Sequence, residues 1–187
     1  MATAATARAT LDDLYQVEGK AELIGGRIVR FMATGDYPAR VAFAIAVALH
    51  LYARATSCGT AYPDNVGYAI PQLPSGRESF SPDASFYAGP HGANQMRFIP
   101  GPPTFAVEVR SENDYGPAAE GELASKRDDY FAAETLVVWD VDPLARTVTV
   151  FRASVPTQAV VYHPGETAEA NPAVPGWQMT VDEIFSV

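Results

Sequence analysis

A mixed α/β fold, one β-sheet with helices packed against it, is predicted by three features of this chain. Helical periodicity is confined to two long segments, 38–55 and 118–133. β-prone runs bounded by Gly and Pro lie before, between and after them. The length, 187 residues, suffices for one buried core and falls short of two ordinary domains. A mixed sheet flanked by helices is the natural way to cover that order of elements. One domain over 11–187 is expected, preceded by an Ala/Thr-rich 1–10 read as a frayed terminus.

Residues 11–17 read as a short helix, with Thr10 as N-cap and Asp12 and Asp13 in the first turn. Two apolar, β-prone runs then flank Gly25-Gly26, a pair that tolerates the positive φ of a two-residue hairpin turn. In the main helix, 38–55, Val41, Ile45, Leu49 and Tyr52 repeat at helical spacing, and Pro38 suits its first turn. Strands are expected over 61–70 and 77–87, the second holding Pro82 and therefore an edge or a bulge. Residues 89–103, rich in Gly and Pro, form a loop. The strand 104–110 should be central, followed by the helix 118–133 and a continuous apolar strand, 136–141. Strands 146–152 and 158–163, a short strand 177–179 and a terminal helical turn 181–185 complete the chain.

Composition narrows the function classes. The apolar share is 48% and the charged share 19%, a globular balance. The longest apolar run, 41–53, is shorter than the roughly 20 residues that span a bilayer and contains His50, so a soluble, cytoplasmic protein without a membrane role is expected. The lone Cys58 excludes an internal disulfide and is expected to be a buried or half-buried structural thiol. His50, His91 and His163 show no zinc-ligand spacing, and Ser111 lacks the context of a hydrolase nucleophile. A net charge of −9 offers nucleic acid no general attraction, so binding to it would need a local cluster, a metal ion or an oligomer.

The residues that can carry chemistry are acidic. Glu108 lies within Phe105-Ala106-Val107-Glu108-Val109-Arg110, where strand alternation sets Phe105, Val107 and Val109 on one face and Ala106, Glu108 and Arg110 on the other. A carboxylate there is costly to bury unless it is paired or holds a metal. Pairing with Arg110 or another cation is the structural alternative. Asp83 follows Pro82 in the preceding strand. Lys126 lies on the next helix, where an ordinary exposed pair with Glu122 is the structural alternative. Asp, Glu and Lys brought together would meet the needs of phosphodiester hydrolysis: carboxylates for a hard divalent cation and a cation to orient water or stabilise charge.

The chain resembles the Uma-type restriction endonuclease family of the PD-(D/E)XK nuclease superfamily. The residues that carry the resemblance are Glu22-Leu23-Ile24-Gly25-Gly26-Arg27-Ile28-Val29, Ser81-Pro82-Asp83-Ala84-Ser85-Phe86, Gly101-Pro102-Pro103-Thr104-Phe105-Ala106-Val107-Glu108-Val109-Arg110-Ser111, Lys126 with Tyr130, Leu136-Val137-Val138-Trp139-Asp140-Val141-Asp142-Pro143, and Pro175-Gly176-Trp177 with Ile184-Phe185. It implies a restriction endonuclease-like core and a Mg²⁺-dependent endonuclease acting on DNA, with Mn²⁺ as substitute. Asp83, Glu108 and Glu22 would be the metal ligands and Lys126 the basic residue. Arg110 occupies the place where the superfamily motif has lysine, and arginine stays protonated. A homodimer is expected, since cutting two strands suits two-fold symmetry. The alternative is a catalytically silent interaction module on the same scaffold, since fold does not dictate function.

Overall fold

The computed structural model describes residues 7–187. Its elements in chain order are α1 (Leu11–Leu14), β1 (Ala21–Ile24), β2 (Arg27–Arg30), α2 (Asp36–Thr56), β3 (Thr60–Pro63), β4 (Tyr68–Ala69), β5 (Ser79–Phe80) and β6 (Ala84–Tyr87). They continue with β7 (Ile99–Pro100), β8 (Phe105–Val109), α3 (Pro117–Ala132), β9 (Val137–Asp142), β10 (Thr147–Arg152) and β11 (Val160–Tyr162). β12 (Thr167–Glu169), β13 (Gln178–Thr180) and α4 (Val181–Phe185) end the chain. The mixed α/β architecture expected from the sequence is the one found.

The central sheet has six strands in the order β11-β10-β9-β8-β6-β3. β8 and β9 run parallel and are joined through α3; every other neighbouring pair is antiparallel. A parallel pair needs such a crossover, which is why α3 stands between them in sequence. α2 packs on β3, β6 and β8. It buries Val41, Ala42, Ile45, Ala46, Leu49 and Ala53 against Phe86, Phe105, Val107 and Trp139. By length and composition alone α2 would pass for a membrane-spanning helix, yet its apolar stripe is spent on this core.

Several elements differ from expectation. The strand expected over 61–70 is split into β3 and β4 by a turn in which Asn65 takes φ 67°. The strand expected over 77–87 breaks at Ser81-Pro82-Asp83, between β5 and β6. β6 is interior rather than an edge, and Pro82 sits in the break, where its missing N–H disturbs no ladder. The loop 89–103 contains the short β7, which joins β4 and β5 in a three-stranded sheet. β12 was not foreseen; it pairs with β13 beside Trp177. Cys58 is exposed rather than buried, because it follows the left-handed C-cap Ser57 at the surface end of α2. Of the terminal segment 1–10, residues 1–6 lie outside the described residues, while Ala9 donates to the Gly26 carbonyl and Thr10 caps α1.

The hairpin β1–β2 turns through Gly25 and Gly26 at φ 58° and 69°, the geometry that the Gly-Gly pair permits. It docks on the segment before β5. The Gly25 N–H donates to the Gly76 carbonyl at 2.8 Å, and a Cβ on Gly76 would lie 2.9 Å from the Gly25 Cα. The Leu23 N–H donates to Ser79 Oγ at 2.7 Å, and the Glu78 N–H to the Leu23 carbonyl at 2.8 Å. These bonds carry Glu22 to the face of the sheet opposite α2.

Candidate active site

On β8 the predicted alternation holds. Phe105, Val107 and Val109 enter the α2 core, while Ala106 packs with Tyr130 on the other side. Glu108 shares that second side and meets α3. Lys126 lies 2.9 Å from Glu108 Oε2, and the Tyr130 hydroxyl donates to Glu108 Oε1 at 2.6 Å. Both come from α3 one helical turn apart, so a single helix face delivers an ammonium and a phenol to one carboxylate. Lys126 is thus not the exposed partner of Glu122.

Asp83 sits in the break before β6. Its own N–H donates to the Val107 carbonyl at 3.0 Å, and its Oδ2 accepts from the Val109 N–H at 2.8 Å. These two bonds to the backbone on either side of Glu108 bring Asp83 and Glu108 into one site. Oδ1 of Asp83 faces Lys20, 2.5 Å away, and Lys20 also reaches Asp64 at 2.7 Å.

Glu22 has no solvent exposure. It accepts from the Ser81 N–H at 2.9 Å, pairs with Arg77, and lies 3.2 Å from Lys126. The break at Pro82 frees that Ser81 N–H for Glu22. Arg77 is fixed in turn by Asp129 at 2.7 Å. Glu22 therefore stands behind Lys126 as its anchor, with no face open to an ion arriving from solvent. Among the described residues no group of three or more His, Cys, Asp or Glu is placed to hold a metal. The reason is that lysines interleave with the acids, Lys126 between Glu22 and Glu108 and Lys20 upon Asp83.

Arg110 does not pair with Glu108. Its guanidinium clasps Asp140 on β9 with two bonds of 2.7 Å and also binds Glu120 on α3. Arg110 is thus a clamp joining β8, β9 and α3. The hydrogen bonds it donates to Asp140 outweigh burial and hold the Arg110 guanidinium well above its ordinary value.

The electrostatics separate the two glutamates. Burial raises the Glu108 carboxyl, and Asp83 adds to this, so it lies above the ordinary carboxylate range despite Lys126. Burial acts the same way on Glu22, but Lys126 and Arg77 outweigh it and hold Glu22 below that range. Burial would lower the Lys126 ammonium, yet Glu108 and Glu22 keep it above its ordinary value. Lys126 is consequently a fixed cation, suited to stabilising negative charge rather than to accepting a proton.

Asp83 borders a cleft lined by Thr34, Phe43, Pro63 and Asp64, and Glu108 borders a second, narrower one formed with Leu123 and Arg127 of α3. Each acid of the pair thus borders a cleft of its own. The donor set suits a hard divalent cation. Asp83 and Glu108 offer carboxylate oxygens, and the five acids of the cluster, Glu22, Asp64, Asp83, Glu108 and Asp129, outnumber its three cations, Lys20, Arg77 and Lys126. Asp83 and Glu108, with side chains 13% and 15% exposed, are sheltered yet reachable, and each borders a cleft.

A family model described as Uma2, putative restriction endonuclease, matches residues 9–182. The chain belongs to the Uma2 family. The crystal structure of a putative nuclease belonging to DUF820 from Anabaena variabilis ATCC 29413 is similar to this Uma2 chain with a TM-score of 0.73 and 17% identity. The likeness covers 95% of this chain and 97% of that one, and it shows a shared fold. No curated protein matches.

Sequence reasoning missed Lys20, Arg77 and Asp129. A signal for Lys20 was present: Lys20 and Lys126 are the only lysines in the chain, every other cationic side chain being arginine. Both lysines stand on acids of this site. Arg77 and Asp129 carried no such mark, since their roles arise from contacts across 55 and 52 positions.

Proposed function

We propose that this Uma2 protein is a divalent-cation-dependent endonuclease that hydrolyses DNA phosphodiester bonds at Asp83 and Glu108. The observation that carries the reading is the convergence of these carboxylates, Asp83 bonded to the β8 backbone on either side of Glu108, with the Lys126 ammonium 2.9 Å from Glu108. The chemistry that Mg²⁺ or Mn²⁺ supplies between Asp83 and Glu108 is charge neutralisation and polarisation of a phosphoryl oxygen. Asp83 is oriented for that task by the Val109 N–H. Lys126, positioned by Glu22, orients the attacking water or donates to the phosphoryl oxygens as negative charge builds. Tyr130 fixes the Glu108 carboxylate through its other oxygen.

The test is a cleavage assay on single-stranded, duplex and branched DNA with Mg²⁺ or Mn²⁺, alongside Asp83→Ala and Lys126→Ala. The expected result is metal-dependent cleavage lost in both variants. Cleavage that persists in both would come from a contaminant and would remove the support for this reading. A second reading, a silent binding module, is favoured by Arg110, whose guanidinium is committed to Asp140 and Glu120. Absence of divalent-cation binding in calorimetry would decide for it.

A further inference from the structure

Both lysines of the chain serve the acidic pair, but they are held in different ways. Lys126 is gripped by Glu108 and by the fully buried Glu22. Lys20 is gripped by Asp83 and by Asp64, whose side chain is 39% exposed and sits on the turn after β3, at the cleft that Asp83 borders. Asp83 Oδ2 is committed to the Val109 N–H, so Oδ1 is the oxygen open to a cation, and the Lys20 ammonium occupies it at 2.5 Å. The Lys20 backbone is pinned, its carbonyl accepting from the Phe31 N–H at 3.0 Å. The flexible four-carbon stem above that anchor leaves the ammonium able to swing.

We propose that Lys20 is the built-in counter-ion of the site, holding Asp83 Oδ1 in the position of a divalent cation and yielding it by moving onto Asp64 when the cation arrives. Asp64 makes the exchange inexpensive, because the displaced ammonium keeps a carboxylate partner it already touches. Without Lys20, Asp83 and Glu108 would face each other with only Lys126 to offset their repulsion. The inference rests on the reading that these two carboxylates hold a divalent cation, and its test separates the two.

The experiment is calorimetric titration of Mn²⁺ into the folded full-length protein, in the absence of DNA, for the wild type and for Lys20→Met, Lys20→Arg, Asp64→Asn and Asp83→Asn. Circular dichroism checks that each variant is folded. Removing the competing charge in Lys20→Met is expected to tighten Mn²⁺ binding by about tenfold or more. Lys20→Arg keeps the charge and is expected to bind no more tightly than wild type. Asp64→Asn removes the landing carboxylate and is expected to weaken binding several-fold, which keeps the proposal testable should Lys20→Met fail to fold. Asp83→Asn abolishes binding. Wild-type or weaker affinity in Lys20→Met, with binding still lost in Asp83→Asn, overturns the counter-ion role and leaves the metal site standing. No binding in either the wild type or Lys20→Met overturns both.

Discussion

The two faces of the six-stranded sheet are built from the same strands and solve opposite problems. The face under α2 is apolar throughout, with Val41, Ile45 and Leu49 packed on Phe86, Phe105, Val107, Trp139 and Val141. The face under α3 carries Glu108, Arg110 and Asp140, with Glu22, Arg77, Lys126 and Asp129 brought against it, all largely shielded from water. One face stabilises through area removed from water. The other holds charge where charge is expensive, which is tolerable only because each group has partners of opposite sign. The difference teaches where stability and chemistry reside in this molecule: β8 contributes Val107 to the first and Glu108 to the second, one residue apart.

The largest effects are expected where either face loses a centre. Trp139→Ala empties the apolar side and should cost about 3–5 kcal/mol, read from the urea midpoint. Arg77→Ala leaves Glu22 and Asp129 without their shared cation and should cost a similar amount, about 3–5 kcal/mol. The contrast sharpens in a combined variant, Glu22→Leu with Arg77→Met and Asp129→Leu. Replacing the buried charges together should bring stability back to within about 1 kcal/mol of wild type or above it, without cleavage activity. If that variant is as unstable as Arg77→Ala, the polar face is a stability device and the contrast fails.

Next in size is the effect on turnover. Lys126→Met, which keeps the length of the stem and removes the charge, should lower kcat by about 10²–10³ in the DNA cleavage assay. Smaller effects separate the two glutamates by pH. Glu22 lies below the ordinary carboxylate range, so its contribution is present above the unfolded value and is lost as pH falls through the folded one. Glu108 lies above that range, so its contribution is fullest in acid and fades as pH rises through its folded value. Urea unfolding from about pH 3 to pH 7 should therefore show the penalty of Glu22→Gln growing with pH while that of Glu108→Gln shrinks. Parallel slopes would refute this assignment of opposite environments. The smallest effect belongs to Phe43→Ser on the exposed side of α2, within about 0.5 kcal/mol by thermal or urea unfolding.

Local chemistry was legible in the residues themselves. Gly25-Gly26 announced the hairpin, Thr10 the N-cap of α1, and the alternation around Glu108 the two faces of β8. What could not be read were contacts between distant segments. The break at Pro82 was visible as an irregularity, but not that it would free Ser81 N–H for Glu22 across 59 positions. Glu22 belonged to the expected ligand set, and only its burial between Arg77 and Lys126 makes it an anchor. Arg110 stood two residues from Glu108 on the same face, yet Asp140 and Glu120 reach it instead.

By itself the sequence determined the mixed α/β class, the central β8 and the two faces of that strand, one apolar and one carrying Glu108 and Arg110. These follow from periodicity, propensity and motif order, which act over a few residues or along the chain. The tertiary structure alone decided which carboxylate faces solvent and which cation sits on which acid. Those outcomes depend on burial and on through-space charge, which neither spacing nor residue type encodes.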